Sequence, residues 1–557
     1  MNRKHQEGGF RHSARRVRRW AQNPLTVFAC CFVLAAQQAD VGNRTAAQHH
    51  GRITGTVIEG TTGAPIQGAR ITVGDWVGTP GKPPSYPSAD TQPDGSFVVR
   101  DLPADKYIIS ADKDGYVDRS SKVTVAGDAD VSVRFSLVKT GSLSGRVVDG
   151  DGKGVPGVRV GVWVMAYRYG RPLVQGRGFA STGQAGEYQI GGLRRGVYLV
   201  GVLPALIKPN AGNPPEDEAH VERVYARSFY PDAQSLADAV GIPLDEEQQM
   251  TGIDIPMQKT NGYCVTASLP GWVPRGTKVS AALEVSGSRS ESSVGTGVLT
   301  SASHFYFCGV PSGDYILYAI IAPTERTTSW VASETVTIDK RDTKTETLPL
   351  DEARELKGQI VVDKGQLINQ RPPSIGVQLE PVDRWPFADE DVYPKMESGG
   401  RLIFHRLYSG GYRVNVTSIS PGYYVSQISA GSRDGMREPI QVGVGDLTVT
   451  VRSDGPSLSG TVTTEDGSEL PPSISVILTG TSAINEVSIR STHVDQAGRF
   501  SFDNLAPGKF NLLALSGLSP DDAENPLVIN RFALQAKELD LAPYSSQQVE
   551  LHPIPAR

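Results

Sequence analysis

Cysteine and long apolar runs are both scarce in this chain of 557 residues. It has four cysteines, and two of them, Cys30 and Cys31, lie near the N-terminus, which leaves one further pair, Cys264 and Cys308. Beyond residue 36 no apolar stretch approaches the roughly 20 residues that a membrane-spanning helix needs. We therefore expect no integral membrane segment in that part of the chain.

Catalytic motifs are also missing. No histidine is followed three positions later by glutamate, the spacing that aims an imidazole and a carboxylate at one zinc ion. The chain has no Gly-x-Ser-x-Gly elbow and no Gly-Lys-Ser/Thr phosphate loop. We therefore expect no catalytic residues, no metal ligands, no cofactor and no enzymatic activity.

Positive charge is concentrated at the N-terminus. Residues 1–36 hold seven of the 55 basic residues and one of the 60 acidic ones, so the remainder carries a formal charge of −11. Phosphate backbones repel such a body, which argues against nucleic-acid binding. The basic stretch, an apolar run from Leu25 to Ala36 and small residues at its end are typical of an export signal. We read 1–36 as a signal peptide and 37–51 as a disordered linker.

One sequence motif recurs five times along the chain. Counted from a turn residue, apolar side chains fall at +2, +4 and +7 and an aromatic ring at +12. The turn residues lie 91, 117, 97 and 98 positions apart, so each repeat has the length of a domain. The five sets are Gly95 with Phe97, Val99, Leu102 and Tyr107; Gly186 with Tyr188, Ile190, Leu193 and Tyr198; Ser303 with Phe305, Phe307, Val310 and Tyr315; Gly400 with Leu402, Phe404, Leu407 and Tyr412; and Gly498 with Phe500, Phe502, Leu505 and Phe510.

Short alternating strands, frequent turn signals and little helical periodicity predict an all-β chain of five tandem, Ig-like antiparallel β-sandwich domains. The +2, +4, +7 and +12 side chains are expected to fill five separate cores, with the tyrosine hydroxyls bonded to nearby backbone. Short linkers predict an extended array. The predicted domains are 52–139, 142–259 with an insertion at 205–249, 261–350, 355–453 and 457–557. The insertion is expected to hold one short helix near 216–225.

The repeated motif resembles the carboxypeptidase regulatory-like domains, also described as transthyretin-like or prealbumin-like sandwiches. It is fullest in Thr91–Tyr107 and in Asp495–Phe510, and the Phe229-Tyr230-Pro231-Asp232 stretch resembles an element of bacterial exported proteins. The resemblance implies a prealbumin-like fold and an accessory role, because such a domain follows the catalytic domain in metallocarboxypeptidases. Similar domains share a superfamily with starch-binding modules.

Two sets of residues are candidate sites. Cys264 and Cys308 lie in one predicted domain of an exported chain and form either a disulfide or two separate thiols, since their predicted strand positions point to opposite faces. Aromatic residues outside the repeated positions either stack on sugar rings or cover the end of a sheet. These are Trp163, Tyr167, Tyr169, Trp385, Phe387 and Tyr393.

The sequence therefore favours a non-catalytic exported protein (periplasmic, secreted or bound to the cell surface) that acts in binding, adhesion or scaffolding. The alternatives are a carbohydrate-binding protein and an accessory subunit of a secreted hydrolase or peptidase. Its expected partner is a protein or glycan at the cell envelope, and the sequence predicts no oligomeric state.

Overall fold

The computed structural model describes residues 50–556 except for 76–86, 128–129, 169, 204–207, 213–221, 274–276, 287–294, 301–303, 323–329, 364–372, 383–391, 472, 481–488 and 496. The predicted signal peptide and all but the end of the predicted linker lie outside these residues. The first strand begins at His50, so His50 and Gly51 belong to a sheet, where they pair with Pro103 and Leu102. This corrects the end of the predicted 37–51 linker.

The first sandwich consists of a three-stranded sheet, in the order β4-β1-β7, and a four-stranded sheet, in the order β3-β2-β5-β6. Its strands are β1 (His50–Glu59), β2 (Arg70–Asp75), β3 (Ala89–Asp90), β4 (Ser96–Pro103), β5 (Asp105–Asp112), β6 (Arg119–Val125) and β7 (Asp130–Leu137). The opening strand β1 lies between β4, which is antiparallel to it, and β7, which is parallel to it.

The second sandwich and its insertion follow. The strands are β8 (Gly141–Val148), β9 (Arg159–Arg168), β10 (Arg171–Ser181), β11 (Glu187–Leu193), β12 (Gly196–Leu203), β13 (Asn210–Ala211), β14 (Glu222–Tyr225), β15 (Ser228–Phe229), β16 (Ile242–Leu244), β17 (Gln249–Met250) and β18 (Ile255–Pro256). One sheet has the order β10-β9-β12-β15 with β16 also on β12, and the other has β11-β8-β17 with β18 also on β8. A 3-10 turn covers Leu236–Asp238.

The third sandwich contains β19 (Lys259–Ser268), β20 (Lys278–Val285), β21 (Gly295–Thr300), β22 (His304–Pro311), β23 (Gly313–Ala322), β24 (Trp330–Ile338), β25 (Thr343–Thr347) and β26 (Asp351–Glu352). The order of one sheet is β21-β20-β23-β24-β26. The other is β13-β22-β19-β14, with β25 also on β19, so the insertion of the second sandwich supplies two of its strands. The predicted helix is therefore wrong over 222–225, where the chain is a strand paired with β19, and 213–221 lie outside the described residues.

The fourth sandwich contains β27 (Arg354–Val362), β28 (Ile375–Pro381), β29 (Lys395–Glu397), β30 (Arg401–Leu407), β31 (Gly411–Ile419), β32 (Tyr424–Ala430), β33 (Arg433–Asp434), β34 (Ile440–Gln441) and β35 (Leu447–Arg452). A 3-10 turn at Ser398–Gly400 precedes β30. The sheet orders are β29-β30-β27-β35-β32-β33 and β28-β31-β34.

The fifth sandwich contains β36 (Ser457–Val462), β37 (Ile474–Gly480), β38 (Ile489–His493), β39 (Arg499–Phe502), β40 (Gly508–Ser516), β41 (Lys537–Leu541), β42 (Ser546–Leu551) and β43 (Ile554–Pro555). Its sheets have the orders β39-β36-β42 and β38-β37-β40-β41, with β43 also on β40. Between β40 and β41 the chain forms the short helix α1 (Pro526–Asn530), flanked by 3-10 turns at Pro520–Asp522 and Ala533–Gln535.

All twenty side chains at the +2, +4, +7 and +12 positions of the repeated motif are buried, and they belong to five separate hydrophobic clusters. This confirms that the +2, +4, +7 and +12 positions face five interiors. The all-β fold is confirmed as well, with one correction: the opening strand of each sandwich pairs in parallel with the closing strand, so the sheets are not wholly antiparallel.

A bulge explains why the third apolar position is +7 rather than +6. In a regular strand every second side chain faces the core, so +2 and +4 would be followed by +6. In the first four repeats the pairing with the opening strand shifts by one residue at this point. In all five, the +6 residue has the left-handed backbone that such a bulge requires, with φ of 62° at Asp101, 76° at Gly192, 79° at Gly309, 58° at Arg406 and 61° at Asn504.

The tyrosine at +12 is buried in each of the first four sandwiches, and its hydroxyl is hydrogen-bonded to nearby backbone. In three of them its hydroxyl donates a hydrogen bond to the carbonyl four residues earlier, at 2.9 Å for Tyr107, 2.7 Å for Tyr198 and 2.9 Å for Tyr315. In the fourth, Tyr412 accepts one from the Tyr408 N–H at 2.9 Å. The predicted hydroxyl-to-backbone bond is therefore confirmed, and the fifth sandwich places Phe510 there without it.

A glycine in the opening strand lets the +2 aromatic ring and the neighbouring strand lie close to its backbone. A Cβ on Gly55 would lie 1.9 Å from the Val133 carbonyl oxygen and 2.6 Å from the Phe97 ring, and Gly460 meets Val549 and Phe500 in the same way. The +2 ring therefore packs directly against bare backbone.

The sandwiches do not contact one another only in chain order. The fifth reaches the second, where Arg195 Nη1 donates to the Gly517 carbonyl at 2.9 Å and Arg177 pairs with Asp521. It also reaches the first and the fourth, through bonds described below. The expected extended array is therefore wrong, because short linkers restrict neighbours but do not prevent the last sandwich from packing against the first two.

Candidate functional site: a basic cleft between four sandwiches

Trp163 is not available as a binding surface. It lies in the middle of β9, is 5% exposed, and packs edge-on against Phe229 with the ring centroids 5.9 Å apart. Val162 and Val164 face the core of the sandwich, so Trp163 faces the other side, where the returning insertion covers it with Phe229 and Leu236. Of the two alternatives predicted for Trp163, this burial excludes stacking on a sugar.

The other predicted aromatic residues do not form a described cluster. Tyr167 is half-buried on β9, and Tyr393 is 64% exposed beside β29. Tyr169, Trp385 and Phe387 lie outside the described residues, so stacking by Trp385 stays a prediction.

Cys264 and Cys308 form a disulfide between β19 and β22. Tyr263 and Val265 both belong to the core, so Cys264 between them faces the opposite side of the sheet. The prediction that the two cysteines point to opposite faces is therefore wrong, because both sulfur atoms lie on the same face. Cys308 and Gly309 together lie opposite Cys264 at the bulge.

A pair of tryptophans in the third sandwich was not predicted from the sequence. Trp272 is 54% exposed, and its ring lies edge-on to that of Trp330 with the centroids 5.2 Å apart. The two residues are 58 positions apart in sequence, so only the fold brings them together.

A cleft of roughly 1380 Å³ lies where the first, second, fourth and fifth sandwiches meet. β5 and β6 form one wall, β31 and β32 with the loop to 438 form another, and β38 with residues 501–506 forms a third. Arg171, at the start of β10, is the contribution of the second sandwich.

Hydrogen bonds between sandwiches fix these walls. Lys122 Nζ on β6 donates to Thr492 Oγ1 on β38 at 3.4 Å, which joins the first sandwich to the fifth. Asn504 Nδ2 donates to the carbonyls of Ile419 at 2.9 Å and Ser420 at 3.1 Å, which joins the fifth to the fourth. Asn504 is also the left-handed bulge residue of its sandwich, so the bulge aims this amide at the neighbour.

The cleft is basic although the chain is acidic. Seven basic and four acidic side chains line it. Two of the acidic ones are engaged within the loop after β32, where Arg433 contacts Glu438 at 3.1 Å and Arg437 contacts Asp434 at 3.7 Å. The remaining lining charges are Lys106, Lys122, Arg171, Arg413 and Arg490 against Asp105 and Asp503.

Like charges from different sandwiches are brought together in this cleft. The cleft partly removes the Lys122 amine from water, and this desolvation lowers its pKa to about 8. Asp503 opposes this shift, while the positive charges of Arg490 and Lys106 add to it. Burial also lowers the pKa of Arg171, and the nearby charge of Arg413 lowers it further. Each lowered pKa means that the site favours loss of positive charge or gain of a negative ligand.

Residues 52–138 match the carboxypeptidase regulatory-like domain family. The resemblance seen in the sequence is thereby confirmed for the first sandwich. The first sandwich, which matches this family, supplies Lys106 and Lys122 to the cleft through β5 and β6. The match does not extend to the other four sandwiches, for which the resemblance stays a prediction.

Solved structures with partial likeness include two bacterial pilins. The minor pilin GBS52 of Streptococcus agalactiae is 15% identical, covers 38% of this chain and 96% of its own, and has a TM-score of 0.23. For the shaft pilin SpaA of Lactobacillus rhamnosus GG the values are 12%, 38%, 98% and 0.19. The Bacillus anthracis TIE protein is 14% identical at a TM-score of 0.15, and the match spans 54% of this chain and 51% of that one. Likenesses this weak carry no argument about function, and no curated protein matches the chain.

The described residues contain no group of three or more His, Cys, Asp or Glu side chains placed to hold a metal ion. Within the same residues no helix has the length and apolar character needed to cross a membrane.

Proposed function

We propose that this chain is a non-catalytic exported binding protein, of the adhesion or scaffold type, which holds an anionic ligand in the four-sandwich cleft. The five sandwiches act as the frame, and the cleft is the site at which a partner of the cell envelope is held.

The observation that carries this proposal is the gathering of Lys106, Lys122, Arg171, Arg413 and Arg490 from four sandwiches into one cleft of an acidic chain. Bringing like charges together costs electrostatic free energy, and an anionic ligand removes that cost. A region of perturbed pKa values in a cleft is a common feature of binding sites.

Export is supported by two features. The Cys264–Cys308 disulfide suits an oxidising compartment, and the basic and apolar pattern of residues 1–36 is typical of a signal peptide. Cell fractionation of the producing bacterium tests it, because recovery of the protein in the cytosol with reduced cysteines would contradict export.

Titration calorimetry with defined polymers tests the cleft. We expect poly-glutamate and polygalacturonate to bind at low salt, poly-lysine not to bind, and the double variant Arg171→Glu/Arg413→Glu to lose the binding. Lys357→Glu is the matched control, because Lys357 is an exposed strand residue of the fourth sandwich that does not line the cleft. Equal polyanion binding by both variants, or no binding by the native protein, would overturn the proposal.

A second candidate function is carbohydrate recognition at Trp272 and Trp330. An exposed indole beside a second one offers an apolar face on which a sugar ring can stack. A glycan array tests it with Trp272→Ala and with Tyr544→Ala as the control, since Tyr544 is an exposed aromatic residue elsewhere. Sugar binding that survives Trp272→Ala, or no binding to any glycan, would reject this candidate.

A further inference from the structure

Among the described residues, two strands with an unpaired edge, β6 and β38, face each other beside the basic cleft. β6 is the last strand of the sheet β3-β2-β5-β6, and β38 is the last strand of β38-β37-β40-β41. Both line one groove of roughly 530 Å³, which shares Lys106, Ile108 and Lys122 with the larger cleft. The free edge of a strand presents a row of N–H and C=O groups to whatever lies beside it.

The two edges are neighbours but do not form a sheet. Lys122 and Thr492 join β6 to β38 through side chains, and no described ladder of backbone hydrogen bonds connects the two strands. The groove between them is therefore bordered by backbone that can accept another strand.

The side chains on these edges select by charge. β6 reads Arg-Ser-Ser-Lys-Val-Thr-Val and β38 reads Ile-Arg-Ser-Thr-His, so neither strand has an acidic residue. Lysine on an edge strand discourages pairing with a neutral or basic strand, and it attracts an acidic one. Arg171 and Arg413 extend the positive charge along the adjoining cleft.

We propose that the groove binds an acidic, extended peptide segment of a partner protein, which adds as a strand to the free edge of β6. Main-chain hydrogen bonds to β6 hold the segment, and Lys106 and Lys122, which line the groove, select its carboxylates. A peptide suits this groove better than an acidic sugar does, because only a peptide can continue the ladder of a sheet edge. This inference rests on the proposed function of the cleft and names the class of its ligand.

Alternating N-methylation tests strand addition in the native protein. In a strand added to one edge, the N–H groups of alternate residues point to that edge and the others point away. We expect an eight-residue peptide of alternating Glu and Val to bind. N-methylation of one alternate set should abolish binding, and methylation of the other set should change it less than about twofold. Equal effects of the two methylated peptides would overturn strand addition.

Charge selection is tested with the same peptide and full-length variants. Lys106→Glu/Lys122→Glu should weaken binding by about tenfold or more, whereas Lys357→Glu should leave it unchanged. Polygalacturonate separates the two levels of the proposal. If polygalacturonate binds in the cleft and the peptide does not, the ligand is an acidic glycan and only strand addition fails. If neither binds, the proposed function fails as well.

Discussion

Cys264 and Cys308 are bonded at the bulge where β19 pairs with β22. The same place in the fourth sandwich holds Glu355 and His405, whose Oε1 and Nδ1 atoms lie 2.6 Å apart. A repeated backbone feature thus brings together a covalent pair in one sandwich and a polar pair in the next. The bulge, rather than the identity of either pair, is what the repeats share.

Removing the disulfide should destabilise the third sandwich. The bond closes a loop over a sequence separation of 44 residues. In the chain-entropy model such a loop contributes about 4 kcal/mol to the free energy of unfolding. We expect Cys264→Ala/Cys308→Ala to lower the melting transition of this sandwich in calorimetry. A reductant should lower the native transition similarly and leave that of the variant unchanged. An unshifted transition in the variant would contradict the prediction.

The left-handed bulge can be tested at two adjacent glycines. Gly192 has a φ of 76°, Gly191 is not left-handed, and a Cβ on either would meet no atom within 4 Å. Gly192→Ala should therefore lower the free energy of unfolding by about 1 kcal/mol through backbone strain alone. Gly191→Ala should be neutral or slightly stabilising, because alanine restricts the unfolded chain. Denaturant unfolding of both variants measures the difference, and equal values would argue against the bulge.

The hydrogen bond of the +12 tyrosine hydroxyl can be tested by replacing the tyrosine with phenylalanine, the residue that the fifth sandwich already has at this position. Tyr107→Phe removes the hydrogen bond to the Pro103 carbonyl and should lower the free energy of unfolding by about 1 kcal/mol. The fifth sandwich already carries Phe510 and lacks this bond. Thermal unfolding of Tyr107→Phe is the measurement. An unchanged midpoint would mean that the bond adds nothing beyond the packing of the ring.

Binding of an acidic ligand should weaken as the pH rises through about 8. The pKa of Lys122 is lowered to about 8, so the amine is charged below that pH and neutral above it. The other charged groups that act on it are Asp503, Arg490 and Lys106. From pH 7 to pH 9 we expect the affinity for the Glu-Val peptide to fall by about fivefold, since an exposed ion pair contributes about 1 kcal/mol or less.

Lys122→Arg supplies the control for this titration, because a guanidinium keeps its charge throughout the range. The variant should bind at pH 7 as the native protein does and should lose most of the decline towards pH 9. A decline of the same size in Lys122→Arg would assign the pH dependence to another group.

The cores were predictable from the sequence, while the cleft was not. Phe97, Val99 and Leu102 lie close together in sequence, so the repeated spacing predicts their burial correctly, and the structure explains the +7 position by a bulge. Lys122 and Arg490 are separated by several sandwiches, and nothing local to either residue indicates that they meet.

The predictions for Trp163 and for the helix near 216–225 fail for the same physical reason, which is that the insertion packs against residues remote from it in sequence. Trp163 is predicted either to stack on a sugar or to cover the end of a sheet, but it lies in the middle of β9, and the insertion covers its ring with Phe229. The stretch 222–225 reads as polar and helical by itself, but it pairs with the edge of β19 in the third sandwich. In both cases a partner remote in sequence outweighed the local preference.

The central claim is that the first and fifth sandwiches form two walls of one cleft. The distance between spin labels at positions 124 and 493 in the full-length protein, measured by dipolar electron paramagnetic resonance, tests it most directly. Both positions are exposed and line the groove, and neither takes part in the Lys122–Thr492 hydrogen bond. A label pair at positions 72 and 110, within one sheet, serves as the reference for a fixed separation. We predict a single narrow distribution for 124–493, at the short separation that the Lys122–Thr492 contact implies. A broad distribution extending to long distances would show that the two sandwiches move independently and that the cleft does not exist as a binding site.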